Sequence, residues 1–516
     1  MTDWTEGYVA DVPYALGFYR EMVPAHIAFA SLCVGKHPGL ALKPKRVLEL
    51  GFGMGLGFVI NAAANPGIHF EGIDFNPMHV AHARGLVEDT GLTNASVREA
   101  SFQDLAREAE GSQQDLDLIV LHGILTWVSS EAHGAIVEIA RKRLKPGGLL
   151  YVSYNCMPGW APMLPLRHLM RENAKRVGKR SDQRVSSGLE LIAALVSENA
   201  HYLAANPTLA GRIEKISKLD KSYLAHEYLN ANWHVFHFNE VSEMFARAKL
   251  GFIGSATLIE NIDAMSLPES SRTRVGSELD PTFKEELRDL ASNKQFRRDL
   301  FGRGLSNLTS VEHQELLSNM RFVLTVPRSK VTYKFQSPIG ELDGNGSIYG
   351  AIADLLGEKP ASFSEIAALP AFNDAGTNAA LQAVALYVHS GQVLAAPPTE
   401  NSFGFDPKPA QLLNKVIAER VLQGRTYNFL AVPAAGSGIQ ATHGELLMFA
   451  AILASTVGDV EAIVEHVIYS LQRLRVTWQV DGKPVADASE RQAVVREDVK
   501  LFLSEKIPLW KRLGVL

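Results

Sequence analysis

Glu49-Leu50-Gly51-Phe52-Gly53-Met54-Gly55 is the stretch that decides the fold of this chain. The residues from Arg46 to Leu50 form a short apolar run typical of a buried parallel strand, and residues 55–64 are small and apolar, as in a helix packed on a sheet. Glycines between such a strand and helix let the backbone turn sharply and approach a ligand without a Cβ clash. The stretch therefore predicts a ligand site at the end of a parallel strand.

The spacing of these glycines discriminates between cofactors. A dinucleotide site would carry G-x-G-x-x-G, but the third position of that pattern falls on Leu56 or Phe58. The chain instead reads E-x-G-x-G-x-G, and an acid such as Glu49 suits a ligand with an ammonium group better than one with a pyrophosphate. This pattern resembles the S-adenosylmethionine (SAM) site of class I methyltransferases, with Gly51, Gly53 and Gly55 as the loop.

The flanking sequence predicts the fold class. Further strands are expected at residues 69–74, 95–100, 116–121 and 149–154, with helices opening near Asn76-Pro77 and spanning about 130–144. Five repeats of strand and helix indicate an α/β, Rossmann-like doubly wound parallel sheet. We expect strands at residues 251–259 and 321–326 to complete this sheet.

The chain divides into four predicted parts: a SAM-binding domain at 1–157, a helical insertion at 158–238, the end of the sheet with a middle, regulatory region at 239–335, and a mostly helical C-terminal domain at 345–516. Within the last, short helices at 347–356, 364–369 and 378–390 and a wing at 391–394 outline a winged-helix unit. Its third helix has no Lys or Arg from Asn378 to Leu386, which argues against a SAM-responsive regulator that binds DNA.

Composition excludes several classes of protein. The 516 residues are 46% hydrophobic with a net charge of −5, which fits about three domains and argues against disorder and against non-specific binding of nucleic acid. Only Cys33 and Cys156 are present, so we expect a reducing compartment and no disulfide framework. The first residues lack a signal-peptide pattern, and the sequence has no long apolar run. We expect a cytoplasmic enzyme without membrane insertion.

The strand ends supply the other predicted cofactor contacts. Asp74 ends the second strand, where a carboxylate can accept hydrogen bonds from both ribose hydroxyls, and Phe75 follows it. After the third strand, Phe102 is expected to stack on adenine and Ser101 to read its exocyclic amine. Packing at the start of a helix is the alternative role for Phe102.

Residues after the fourth and fifth strands are predicted to meet the methyl acceptor. His122 follows the fourth strand, where it would act as a base or form a wall of the SAM pocket. We expect no dedicated strong base, so His122 and Tyr154, after the fifth strand, are the predicted catalytic residues that orient the acceptor by hydrogen bonds. Trp127, Asn155 and Trp160 are predicted to bind the substrate, the two tryptophans because aromatic faces can hold a cation. The alternatives are a hydrogen-bonded structural histidine and packing of the helical cap.

Several local sequences together resemble bacterial methyltransferases with a methyltransferase regulatory domain, among them the rickettsial enzymes that methylate lysines of outer-membrane proteins. They are Tyr14, Phe18 to His26, E-x-G-F-G-x-G, His122-Gly123, Ser153-Tyr154-Asn155, Pro158-Gly159-Trp160, His226 to Asn230, Gln295 to Asp299, Arg303-Gly304, Leu430 to Pro433 and Gly436 to Gly438.

This resemblance implies transfer of a methyl group from SAM to a protein lysine, with S-adenosylhomocysteine as product and no metal. It also implies a protein or peptide partner, a helical dimerisation insert that makes a homodimer, and a winged-helix-like C-terminal domain. By the same resemblance Tyr14 joins the cofactor contacts, and Trp233 and His234 lie near the substrate. The alternative is an N- or O-methyltransferase of a small molecule or a biosynthetic peptide.

Overall fold

A seven-stranded sheet is the centre of the computed structural model, which describes residues 4–111, 113–398, 406–454, 459–480 and 482–516. The strands lie in the order β3-β2-β1-β4-β5-β7-β6. Strands β1 to β5 are parallel, whereas β7 is antiparallel to both β5 and β6. Their bounds are β1 Arg46–Leu50, β2 His69–Asp74, β3 Ala95–Glu99, β4 Leu116–Leu121, β5 Leu144–Asn155, β6 Leu250–Ser255 and β7 Phe296–Arg303.

The predicted Rossmann-like sheet is therefore confirmed, but one of its strands is not where we expected it. Residues 321–326 were expected to complete the sheet, whereas Arg321–Leu324 forms β8 in a separate three-stranded sheet. The position beside β5 belongs to β7, which pairs with it from Leu149↔Gly302 to Asn155↔Phe296 and has β6 on its other side. The charged residues Arg297, Arg298 and Asp299 concealed this strand in the sequence, because buried strands are normally apolar.

Helices on both faces of the sheet complete the doubly wound architecture. Several of them begin at an N-cap residue. The side chain of Asn76 accepts a hydrogen bond from Met78 N, and Ser101 and Asp104 form a reciprocal capping box. The helices around the sheet are α1 Pro24–Cys33, α2 Leu56–Ala64, α3 Pro77–Thr90, α4 Phe102–Glu108 and α5 Ser130–Arg143.

A helical insertion follows β5. Its five helices enclose a separate apolar cluster that also includes Val9 and Val12 from the start of the chain. These helices are α6 Leu164–Ala174, α7 Ser181–Ser197, α8 His201–Ala204, α9 Thr208–Ser217 and α10 Lys221–Leu229. Around β6 and β7 lie α11 Phe238–Ala246, α12 Asp263–Ser266, α13 Glu269–Ser277 and α14 Pro281–Ser292, followed by α15 Ser310–Ser318.

The C-terminal part is mostly helical. Its first half has three helices, α16 Gly346–Glu358, α17 Phe363–Ala367 and α18 Gly376–Ser390, beside the sheet β11-β8-β12, and the hairpin β9-β10 precedes them. The remaining strands are β9 Lys334–Ser337, β10 Gly340–Asp343, β11 Ala361–Ser362, β12 Val393–Ala396, β13 Phe429–Val432, β14 Ser437–Gln440, β15 Gln479–Val480 and β16 Lys483–Pro484. The remaining helices are α19 Lys408–Leu422, α20 His443–Ala454, α21 Val460–Leu474, α22 Ala488–Leu501 and α23 Ile507–Leu513.

Two apolar cores cover the two faces of the central sheet. One joins α1, α2 and α3 to the C-terminal part without interruption, and the other lies among β1, β4, β5, α5 and α11. Within the described parts of the chain, every helix is too short or too polar to cross a membrane.

Candidate active site

The carboxyl ends of β1 to β4 and an N-terminal strap, defined as residues 4–19, enclose a cavity of about 360 Å³. This volume is typical of sites for small molecules. The described residues that line it include no Lys or Arg but five acids: Glu6, Glu49, Asp74, Glu99 and Asp104. The charge of the lining therefore favours a cationic ligand over an anionic one.

The glycine loop forms the floor of the cavity. Gly51 has φ +73°, and a Cβ on it would lie 2.3 Å from Ile124 Cδ1. Gly55 has φ +75°, and a Cβ there would lie 2.4 Å from the Cβ of Ala83 in α3. Both positions need glycine because of the left-handed backbone and because of the close neighbour. The loop thus turns from β1 into α2 with its backbone exposed to the cavity.

Asp74 connects the ends of β1 and β2. Its Oδ2 accepts a hydrogen bond from Gly53 N at 2.9 Å, and its Oδ1 accepts one from Asn76 N at 2.9 Å. The ring of His79 adds a contact of 3.2 Å to Oδ1. The carboxylate that we predict to bind ribose is therefore held in place by the loop and by the start of α3.

Glu49 is a buried carboxyl that the protein leaves unpaired. Among the described residues it has no hydrogen-bond or ion-pair partner, although only 7% of its surface is exposed. Burial, helped by the negative charge of Asp74, raises the pKa of Glu49 to about 8. A cationic group in the cavity would restore the charged form of this side chain.

Three further polar atoms of the lining are buried without a partner among the described residues. They are the Oδ1 of Asn61, the Nε2 of His79 and the indole Nε1 of Trp127. Unsatisfied buried polar groups are rare in folded proteins and need an explanation. All three atoms belong to side chains that line the cavity.

Aromatic rings form the wall near the end of β4. The ring of Tyr19 stacks on that of His122 with 3.6 Å between their centroids, and His122 Nδ1 lies 2.7 Å from the hydroxyl of Tyr151. Burial and the positive charge of Arg298 lower the pKa of His122 to about 3, so its imidazole is neutral. Tyr14 packs edge-on against Trp127 at 5.7 Å. This end of the cavity is apolar, aromatic and uncharged.

The structure brings most of the predicted site residues together at this cavity. Twelve of them line it: Tyr14, Glu49, Gly51, Phe52, Gly53, Gly55, Asp74, Phe75, Ser101, Phe102, His122 and Trp127. Ser101 also caps α4, since its hydroxyl oxygen accepts a hydrogen bond from Asp104 N at 3.1 Å. Five predicted residues do not line it: Tyr154, Asn155, Trp160, Trp233 and His234.

Tyr154 lies outside the cavity, in the apolar core on one face of the sheet. It is fully buried, and its hydroxyl donates a hydrogen bond to Asp299 Oδ2 at 2.6 Å in β7. Arg297 binds the same carboxylate at 2.8 Å. The prediction that Tyr154 orients the acceptor does not agree with this placement, because its only polar atom is engaged in the core.

Asn155, Trp160 and Trp233 form a packed cluster with the insertion. Asn155 Nδ2 donates to Glu227 Oε1 at 2.6 Å, and the two indole rings lie 5.0 Å apart. His234 packs on His133 at 5.3 Å. For Asn155 and Trp160 the structure shows the alternative role, packing of the helical cap against the end of β5, whereas His234 packs on α5.

Several residues that line the cavity, in the strap and in the helices, were not predicted from the sequence. Trp4, Tyr8 and Tyr19 line the cavity, as do Asn61 and His79. A signal for the strap was present, since aromatic residues recur through a segment with no helix or strand pattern. Asn61 and His79 gave no signal, because their exposure to the cavity depends on how α2 and α3 pack.

Sequence comparisons relate the chain to methyltransferases. Residues 42–226 match the methyltransferase domain family, and residues 220–303 match the family described as predicted methyltransferase regulatory domain. The chain is 32% identical over 513 residues to the uncharacterised protein sll1526 of Synechocystis, covering 99% of both chains. It is 23% identical over 360 residues to the uncharacterised protein RP789 of Rickettsia prowazekii, covering 69% of this chain and 62% of that one.

A solved structure shares the fold over nearly the whole chain. PKMT2 from Rickettsia typhi in complex with AdoHcy superposes with a TM-score of 0.70 at 19% identity, covering 97% of this chain and 100% of that one. The similarity therefore includes the insertion and the C-terminal part as well as the central sheet.

Proposed function

We propose that this chain, which belongs to the SAM-dependent methyltransferases with a methyltransferase regulatory domain, methylates the side-chain amine of a protein lysine. The observation that carries this proposal is the charge of the cavity. Its described lining has five acidic side chains and neither Lys nor Arg. Such a lining favours the cationic SAM and an amine acceptor, and it disfavours acceptors with a carboxylate or a phosphate.

The unpaired groups of the cavity fit SAM. We assign Glu49 to its ammonium group, Asp74 to the ribose hydroxyls, and the rings of Phe75 and Phe102 to the adenosine. Trp127 Nε1 and His79 Nε2, which are buried without partners, supply further hydrogen bonds to the ligand. These assignments account for every unsatisfied polar group named above except Asn61 Oδ1, which is an acceptor on α2 at the same cavity.

When bound, SAM would supply a methyl group on a positively charged sulfur: an amine lone pair would form the new N–C bond in line as the C–S bond breaks, leaving S-adenosylhomocysteine. A lysine ammonium has no lone pair and must first lose its proton to solvent water. The aromatic walls lower the pKa of such an amine by desolvation, and a neighbouring cation lowers it further. His122 is neutral and too weak a base to remove the proton, so we assign His122 and Tyr19 to orienting the amine.

Labelled SAM tests this proposal directly. The enzyme is incubated with an unfolded lysine-containing polypeptide, the same polypeptide with its lysines chemically blocked, and a set of small amines and phenols. We expect label in the first polypeptide alone, located on lysine by mass spectrometry, with the Asp74→Ala variant as the inactive control. Label that persists after blocking, or that enters only the small molecules, would contradict lysine methylation and favour the small-molecule alternative.

A further inference from the structure

A second groove begins where the strap leaves the cavity. It has a volume of about 680 Å³ and lies between the strap and helices α6 and α7. Trp4, Thr5 and Tyr8 line both the groove and the cavity, so the two are adjacent. The strap is tied to the insertion here, since Val9 N donates to Asn230 Oδ1 at 2.8 Å and Ser181 N to Asp11 Oδ2 at 2.9 Å.

The charge of this groove is opposite to that of the cavity. Arg171, Lys175 and Arg184 line it, with Asp11 as the acid among its described lining residues. Residues 167–184 include seven Lys or Arg and two acids, in a chain whose net charge is −5. We call the groove, with these three cations, the basic groove.

The cations of the basic groove are largely unpaired. Among the described residues, Arg171 and Arg184 have no ion pair within 4.0 Å, and Arg184 Nε is buried without a hydrogen-bond partner. Lys175 pairs with Glu172 at 2.6 Å, but both side chains are exposed, and such pairs contribute little. The described lining of the groove has three cations and one acid, Asp11, so the groove carries a net positive charge.

We propose that the basic groove binds an acidic segment of the acceptor polypeptide, next to the lysine that enters the cavity. This proposal rests on the proposed function. An acidic cavity beside a basic groove is complementary to a lysine flanked by Asp or Glu, and it repels a lysine flanked by cations. Specificity then comes from the groove, outside the reacting atoms.

Fluorescence anisotropy on the full chain with S-adenosylhomocysteine tests the proposal. The probes are a labelled peptide with one lysine and six glutamates and its counterpart with six serines. We expect tighter binding of the acidic peptide, weakened by salt, and a loss of about tenfold in the double variant Arg171→Glu, Lys175→Glu. The matched control reverses two exposed lysines of α19, Lys408→Glu and Lys415→Glu, and keeps wild-type binding.

Two measurements keep the result interpretable. The neutral variant Arg171→Gln, Lys175→Gln is expected to lose less affinity than the charge reversal, and both variants keep the wild-type Kd for S-adenosylhomocysteine. Equal binding of the two peptides, or equal loss in the α19 control, would overturn the proposal. So would displacement of the acidic peptide by a tighter-binding oligouridylate, or a change of sedimentation on charge reversal, since the groove would then hold RNA or a second copy.

Failure of this proposal and failure of the proposed function are distinguishable. The peptide assay reads binding without methyl transfer. If lysine methylation fails while the acidic peptide still binds through Arg171 and Lys175, the acceptor atom is wrong and the groove assignment stands. If lysine is methylated but neutral peptides bind equally well, only the groove assignment fails.

Discussion

At the scale of single residues, the site contains buried polar groups that have no hydrogen-bond partner in the described part of the free protein. Glu49 is a buried carboxyl without a partner among the described residues, and Trp127 has a buried indole N–H in the same condition. Desolvation of such groups destabilises the free protein. Binding of a ligand that completes their interactions recovers this free energy, which couples cofactor affinity to the burial of the site.

Glu49 should make SAM binding depend on pH. In the free protein its pKa is about 8, so the carboxyl is mostly protonated at neutral pH, whereas a bound ammonium favours the charged form. Binding therefore releases a proton, and the Kd should fall by up to about tenfold per pH unit as the pH rises from about 6 to about 8. Calorimetry at several pH values measures this slope, and Glu49→Gln should remove it. Equal slopes in both proteins would exclude this role of Glu49.

The stack of Tyr19 on His122 should affect methyl transfer through its ring rather than its hydroxyl. Tyr19→Leu removes the stack and is expected to lower the single-turnover rate about three- to tenfold, because aromatic pairs contribute about 0.5–1.5 kcal/mol. Tyr19→Phe keeps the ring and should keep most of the rate. A leucine variant as fast as wild type would show that this wall does not orient the acceptor.

At the scale of elements, a buried ionic network joins β7 to the helix that precedes it. Arg297 bonds to Asp299, Asp289 and Glu285 at 2.6–2.8 Å, and its guanidinium lies 4.4 Å from the ring centre of Phe238. Burial raises the pKa of Asp289 to about 7 even with this arginine beside it. The network holds α14 against the strand that carries Asp299, the partner of Tyr154.

Loss of Arg297 should destabilise the fold strongly. Arg297→Met removes this cation from three buried carboxyls, of which Glu285 keeps its ion pair with Arg288, and we expect a loss of about 3–5 kcal/mol in the free energy of unfolding. Arg247→Met, at an exposed position after α11, is the control and should change stability by less than about 0.5 kcal/mol. Urea denaturation measures the free energy of unfolding of both variants. Equally small losses in the two variants would show that the network is dispensable for stability.

At the scale of the whole molecule, the C-terminal part is packed directly on the sheet domain. The apolar core of α1, α2 and α3 continues into α19 and α20. Polar contacts reinforce it: Asn65 Nδ2 donates to Gly436 O at 2.7 Å, His82 Nε2 lies 2.9 Å from the hydroxyl of Tyr427, and Arg420 pairs with Asp89. The two parts therefore share one core.

A shared core predicts cooperative unfolding. The full chain should melt in a single calorimetric transition, and a chain ending at residue 344 should expose the apolar outer faces of α1 to α3 and bind a hydrophobic dye. Two well-separated transitions, or a truncated chain that melts cooperatively without binding the dye, would show that the sheet domain is independent of the C-terminal part.

The parts of the site that could be read from the sequence are those encoded locally. The glycine loop, Asp74 and the capped start of α3 each depend on a few consecutive residues. Their backbone conformations and capping hydrogen bonds involve near neighbours in the sequence. Tyr154, Asn155 and Trp160 were placed correctly at the end of β5 but with the wrong surroundings. Whether such a side chain faces a cavity or a core depends on what packs against it from β7 and from the insertion.

The sequence by itself determined the cofactor loop, the parallel strands and the class of ligand, because glycine spacing and apolar runs act through local backbone geometry. Only the tertiary structure decided that β7 completes the sheet, that the strap with Tyr8 and Tyr19 closes the cavity, and that a basic groove adjoins it. Each of these joins residues far apart in the chain. Their contacts depend on how the whole chain packs, and no short stretch of sequence encodes that packing.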